Sequence, residues 1–146
     1  MHEVTGWRCA VCGARTALTE RMPWRCPKST LMDRHHVLQA ISAQLEPTDE
    51  LAASPNPFIR HDRRLAWAAA AAARGMTDSA RTSLVSEFDD AVRAVDGVGF
   101  VTTPFERSEV LSDELGFGVQ GGVWAKDETR SVGGSQKARH LFTVML

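Results

Sequence analysis

The chain has 146 residues, 43% of them hydrophobic and 24% charged, with a net charge of −1. That length and balance suit one soluble domain with a sizeable core, or a piece of a larger one, and argue against a disordered or fibrous chain. Charge is uneven, with six Lys/Arg against three Asp/Glu over residues 1–36 and three against nine over 77–114. Neither excess forms the concentrated basic face with interleaved aromatics that nucleic acid requires, so no nucleic-acid partner is expected.

The opening Met1-His2-Glu3-Val4 is polar and lacks the apolar stretch of a secretory signal. The longest apolar run, Leu65 to Ala73, is about half of what spans a bilayer. Three cysteines do not make a disulfide framework, and a reduced cytoplasmic protein with no membrane partner is expected.

Residues 1–46 read as a compact cysteine-bearing, zinc-ribbon-like unit. Cys9-Ala10-Val11-Cys12-Gly13 is a knuckle, two thiols two residues apart followed by a glycine that lets the backbone turn back. Trp24-Arg25-Cys26-Pro27 resembles half of a second knuckle, but no cysteine stands near Ser29 or Thr30 to complete it. A structural zinc takes four ligands, so His35, His36 or His2 would supply the fourth. The competing reading is three reduced thiols in a small loop-rich unit. Thioredoxin-like redox chemistry is disfavoured, because no strand–helix pattern frames the C-x-x-C pair.

Val37 to Leu45 places apolar residues at 37, 38, 41 and 45, which suits one face of a short helix, although Val37-Leu38 equally fits the end of a strand. Residues 47–57, rich in Pro, Ala, Ser and acidic side chains, read as a linker. A helix is expected from Asp62 to Arg74, capped by Asp62, filled with alanine and ended by Gly75. A second is expected from Asp78 to Val95, with an apolar stripe of Ala80, Leu84, Phe88, Ala91, Val92 and Val95 and a stop at Gly97. Its acidic residues Glu87, Asp89 and Asp90 read as a solvated face rather than as paired catalytic carboxylates. Thr103-Pro104 is extended, Glu106 to Leu115 is a short helix or a loop, and Gly121 to Lys126 is a turn into a short strand.

The stretch from Trp124 to Leu146 carries the chemistry. Lys126-Asp127-Glu128 is followed by a Gly133-Gly134-Ser135 break, then by Lys137 at the head of an apolar, helical tail. Ser135 is placed to cap that helix, with Leu141, Val144 and Met145 on its buried side. By residue pattern alone, a Gly-Gly-Ser turn before a lysine is also how many ordinary helices begin.

Here the sequence resembles pyridoxal-phosphate enzymes of the tryptophan-synthase-β type (fold type II), especially threonine synthase and threonine ammonia-lyase relatives. Lys126, Glu128, Gly134, Ser135, Lys137 and Arg139 stand at that family's lysine-x-glutamate, Gly/Ser turn and Ser-x-Lys-x-Arg positions, and Thr103-Pro104 stands where a Thr-Pro element precedes the catalytic core. Arg130 and Gln136 depart from the usual pattern, in which a glycine and an aromatic or histidine are common. The resemblance implies an α/β core beginning within residues 58–146, with Lys137 forming the imine with pyridoxal phosphate and moving the α-proton, and Ser135 beside it. The implied substrates are amino acids that undergo elimination or replacement at the β or γ carbon. The family's phosphate loop and pyridine-nitrogen partner fall further along than Leu146, so a truncated portion, inactive alone, is expected, and a homo-oligomer or a partner chain is a further expectation.

A looser resemblance covers Trp7 to Leu38, since some threonine-synthase-like proteins carry a small unit of this kind ahead of the core. It rests on Cys9, Cys12, Cys26-Pro27 and His36-Val37-Leu38, and it implies His36 as the fourth ligand beside the three cysteines. The expected fold is therefore mixed, mainly α with short strands: a zinc-ribbon-like unit, then helices and the start of an α/β core. The alternative function is a small zinc-stabilised interaction module without catalysis.

Overall fold

The computed structural model describes residues 3–20, 25–43 and 53–146. Its elements are β1 (Val4–Cys9), β2 (Arg15–Thr16), β3 (Leu38–Ser42), α1 (Pro57–Arg60), α2 (Ala66–Ala73), α3 (Asp78–Asp96), β4 (Phe105–Ser108), α4 (Glu109–Glu114), β5 (Val123–Lys126) and α5 (Lys137–Met145). Short 3-10 turns occupy Asp62–Arg64 and Val132–Gly134. The fold is a mixture of helix and sheet, and no helix among the described residues is long and apolar enough to cross a membrane.

The chain divides into two units. The first runs to Ser54 and takes in Phe58–Val85; the second takes in Pro55–Pro57 and Ser86–Leu146. Residues 58–85 thus belong with the cysteine-bearing segment, and the division falls inside α3. Of the expected linker, residues 47–52 lie outside the described residues.

In the first unit β1 is the central strand of a three-stranded antiparallel sheet, ordered β2-β1-β3. The expected helix over Val37 to Leu45 is corrected to strand β3, whose register runs from Cys9↔Leu38 to Val4↔Ser42 with a bulge between Val4 and Gly6. A lone nine-residue helix gains little from its own hydrogen bonds. The β1 ladder satisfies the same backbone groups and half-buries Leu38 and Ile41. Leu45 lies outside the described residues.

The helix expected from Asp62 to Arg74 is shorter than its alanine content implies. Leu65 is extended (ψ 132°) and serves as N-cap, so α2 starts only at Ala66. Asp62 does not cap it, because its carboxylate receives the Arg81 guanidinium instead, at 3.2 Å from Nε and 2.8 Å from Nη2. Arg81 is 2% exposed, and its remaining donors meet Met76 O at 2.9 Å and Asp78 Oδ1 at 3.0 Å. A buried guanidinium is tolerated only when paired and hydrogen-bonded in this way. Ala68 and Ala69 are buried, and Gly75 ends the segment at φ +89°, as its position predicts.

The span of α3 matches expectation, with Gly97 at φ +84° as the stop. Its buried line does not. Arg81, Val85 and Asp89 are buried, Leu84, Phe88 and Val92 are half-buried, and Val95 is 91% exposed. Glu87 and Asp90 are exposed, but Asp89 leaves the expected solvated face. Its carboxylate is 4% exposed, accepting from Phe100 N at 2.6 Å and from Arg93 Nη2 at 2.8 Å.

In the second unit β4 and β5 pair antiparallel from Phe105↔Lys126 to Ser108↔Val123. Ser108 caps α4 by accepting from Leu111 N at 3.4 Å. Ser112, with no exposed surface, donates to Ser108 O at 2.6 Å and accepts from Val123 N at 3.0 Å, tying α4 to β5. On α5 the residues expected to be buried are exposed: Leu141 by 65%, Val144 by 53% and Met145 by 54%. Phe142 is buried instead, its ring centroid 4.6 Å from that of Phe100. The inward line of α5 runs through Arg139, Phe142 and Thr143, with Arg139 paired to Glu128 and Phe142 packed on Phe100.

Candidate metal centre

The first unit brings three separate stretches of chain to one point. After β1, Gly13 N donates to Cys9 O at 3.0 Å and Cys9 N to Ala14 O at 2.8 Å. This tight turn, closed by Gly13 at φ +71°, carries Cys9 and Cys12 together. A second turn holds Cys26: Lys28 N donates to its Sγ at 3.4 Å, and Ser29 donates to its carbonyl through both N (3.0 Å) and Oγ (2.8 Å). The third stretch is pinned by Ala10 N donating to Val37 O at 2.9 Å, which sets His36 beside the knuckle.

The Sγ atoms of Cys9, Cys12 and Cys26 and a ring nitrogen of His36 all lie within 4.8 Å of one another. Cys9 Sγ is 3.4 Å from His36 Nδ1, and Cys12 Sγ is 3.5 Å from Cys26 Sγ. A tetrahedral zinc with Zn–S bonds of about 2.3 Å has S···S edges of about 3.8 Å, so the donors stand close to coordination spacing. The set also fits chemically, since thiolate and imidazole are the donors that structural zinc sites use. Four protein donors fill a tetrahedron and leave no open position for a substrate.

His36 presents Nδ1 to the thiols and Nε2 to Asp33 Oδ2, 3.1 Å away. A carboxylate behind a ligating histidine fixes the tautomer and ring orientation. Asp33 lies three residues before His36, a spacing visible in the sequence, yet the residue pattern alone did not single it out. His35 is exposed and outside the cluster. His2 and Trp24 lie outside the described residues.

Local charges follow this geometry. The backbone N–H of Cys12, helped by that of Val11, stabilises the Cys9 thiolate against the cost of burial and lowers its pKa to about 6. Burial pushes the Cys26 thiol up, with Lys28 N–H opposing. The Cys9 sulfur, then Asp33, raises the His36 imidazole, and His36 in turn holds Asp33 below the ordinary carboxylate range. All three cysteines are free thiols, Cys9 and Cys26 buried and Cys12 exposed.

The residues of the carboxyl-terminal motif meet elsewhere, in the second unit, around the Glu128 carboxylate. Oε1 accepts from Thr103 Oγ1 at 2.7 Å, and Oε2 accepts from Arg139 Nε at 3.2 Å. Arg139 Nη2 also donates to Val101 O at 2.9 Å and Thr103 Oγ1 at 3.2 Å. Lys126 Nζ donates to Thr103 O and lies 3.8 Å from Glu128 Oε1. These partners, Thr103 foremost and then Arg139 and Lys126, hold the Glu128 carboxyl below its ordinary range. Lys137 is not part of this cluster. It is exposed on the first turn of α5, and Ser135 Oγ accepts from its backbone N at 3.2 Å. Ser135 thus contributes a local bond beside the helix start, while Gln136 occupies the N-cap. Gly133 and Gly134, at φ +61° and +58°, make the turn that precedes it.

No family model matches the chain, and neither a curated protein nor a solved structure does.

Proposed function

We propose that the chain is a zinc-stabilised protein in which Cys9, Cys12, Cys26 and His36 hold a structural metal ion. One observation carries this reading: four donors of the right chemistry, from three stretches of chain, lie within 4.8 Å of one another. The first unit's sheet is short, with two residues in β2 and five in β3, and a metal that clamps the β1 knuckle to the chain before β3 supplies stability that so small a sheet lacks. In this role the centre is architectural, and the unit presents its surface to a partner rather than catalysing a reaction. Three unpaired thiols suit a reducing compartment, the cytoplasm.

Metal analysis of purified protein tests it. A single zinc per chain, replaceable by cobalt with the visible spectrum of a tetrahedral thiolate-rich site, is expected. Cys26→Ala should lose the metal, and chelation should lower the thermal stability of the native chain. Protein that binds no zinc and melts identically with or without chelator refutes the reading.

A second reading places the chain with the pyridoxal-phosphate lyases and synthases of fold type II, Lys137 being the cofactor lysine and an amino acid the substrate. Its support is the Glu128 cluster, in which one carboxylate joins three stretches that carry the resemblance: Thr103-Pro104, Lys126-x-Glu128 and Lys137-x-Arg139. The exposed Lys137 amine is open to an aldehyde. Pyridoxal phosphate added to the protein should give a visible-range absorbance band that Lys137→Ala abolishes. The same weak band from both proteins rules the site out.

A further inference from the structure

We propose that the Cys3His centre is also a peroxide-sensitive switch, in which Cys12 and Cys26 join as a disulfide and the metal leaves. The proposal rests on the metal-centre reading above and adds which two thiols react. The C-x-x-C spacing does not by itself say which two thiols would pair, and the geometry does. Cys12 is the most accessible of the three cysteines, Cys9 and Cys26 being buried, and so the first that a dissolved oxidant meets. Its Sγ lies 3.5 Å from that of Cys26, which is 2% exposed and shielded from direct attack. A disulfide of about 2.05 Å therefore needs the two sulfurs to approach by about 1.5 Å. Cys9, 1% exposed, faces His36 Nδ1 at 3.4 Å and is held by the turn bonds to Gly13 and Ala14.

The chemistry balances with a peroxide as oxidant. The Cys12 thiolate attacks one peroxide oxygen, the O–O bond breaks, and a sulfenic acid and hydroxide result. The Cys26 thiolate then attacks the Cys12 sulfur, the S–S bond forms, and the S–O bond breaks to release a second hydroxide. Two thiolates are oxidised by two electrons in total, and the peroxide is reduced to two hydroxides, which the buffer protonates to water. Cys9 and His36 remain, two donors where a structural zinc needs four, so the ion dissociates. A thiol reductant and zinc reverse the sequence.

The test uses the full chain, first assayed for its zinc. Hydrogen peroxide is added in the presence of a chromophoric zinc indicator, and the oxidised protein is digested and its disulfides mapped by mass spectrometry. Release of the bound zinc together with a Cys12–Cys26 linked peptide pair, reversed by dithiothreitol and zinc, is the expected result. Retention of zinc under peroxide, a disulfide that includes Cys9, or disulfide-linked dimers through Cys12 would each overturn it. Should the isolated protein carry no zinc, the metal reading fails on that assay alone, and mapping of the zinc-free protein still decides the pairing. A Cys9→Ser variant guards against an ambiguous digest, since it should still form the Cys12–Cys26 link.

Discussion

Asp33→Asn probes the metal centre without removing a ligand. In the native chain Asp33 Oδ2 stands 3.1 Å from His36 Nε2, while Nδ1 of the same ring faces the thiols. An asparagine keeps the size and an acceptor oxygen, but it loses the negative charge that makes the imidazole a stronger donor to the metal. Carboxylates behind a ligating histidine are worth about 10–100-fold in metal affinity. The His36 side chain is 7% exposed and Asp33 57%, so water reaches the carboxylate side of the pair and replaces part of its effect. The expected loss is therefore about tenfold, the lower end of that range. Competition against a chromophoric chelator measures it, with Asp113→Asn in the second unit as the control. The cobalt-loaded variant should keep the tetrahedral spectrum, since all four ligands remain. Zinc affinity unchanged within about twofold would mean that Asp33 does not support a metal-bound His36. A variant that lost the metal altogether would instead show that the aspartate holds the loop itself in place.

Three further outcomes follow from bonds that span the fold. Arg81→Ala strands the Asp62 carboxylate and should cost about 3 kcal/mol in chemical denaturation, while Arg81→Lys recovers only part because an ammonium does not fork both oxygens. A stability equal to wild type would show that the ion pair is dispensable. Ser112→Ala leaves the part-buried Val123 N without its Ser112 acceptor and should cost about 1 kcal/mol, read as a lowered unfolding midpoint; an unchanged midpoint contradicts the link between α4 and β5. Glu128, whose folded pKa is lowered by Thr103, Arg139 and Lys126, stabilises the fold at pH values above the ordinary glutamate range near ~4.3 and loses that contribution as pH falls through the lowered value. Glu128→Gln should flatten the acid limb of the pH–stability profile measured by thermal melting, and parallel acid limbs for the two proteins would refute the assignment.

Features set by neighbours along the chain are legible in the residue order itself. The Cys9-x-x-Cys12-Gly13 knuckle declares its turn, because two thiols at that spacing need a residue that accepts a left-handed backbone, and Gly13 has it at φ +71°. Gly75 and Gly97 stop their helices for the same local reason. Cys26 can be joined to the knuckle from residue type alone. The choice of His36 over His35 is harder. It depends on the Ala10–Val37 bond and on the β1–β3 ladder, neither of which a helical reading of Val37 to Leu45 contains. Once Leu38 is placed opposite Cys9, alternation in an extended chain puts His35 and His36 on opposite sides, and only one can face the thiols.

Residue pattern does not reveal the pairing of buried charge over long separations. Periodicity ranks positions by apolarity, so it assigns α3 the stripe through Ala80, Leu84, Phe88, Ala91, Val92 and Val95 and leaves Asp89 to solvent. The protein buries Arg81, Val85 and Asp89 instead, and each charge is compensated: Arg81 by Asp62, and Asp89 by the Arg93 guanidinium one turn on together with the backbone N–H of Phe100. The error on α5 has the same origin. Arg139 pairs with Glu128 and Phe142 packs on Phe100, while Leu141, Val144 and Met145 face outward. In each helix a charged residue shares the inward face with an apolar one, and the widest apolar stripe does not. Such a position is recognisable in principle: a charged residue in line at i+4 with a buried apolar one, as Arg81 and Asp89 are with Val85, carries a partner elsewhere in the chain or is misplaced. The same pattern recurs in the two clusters of this protein, where Asp33 orients the His36 ring from three residues away and Glu128 orients the Arg139 guanidinium from eleven.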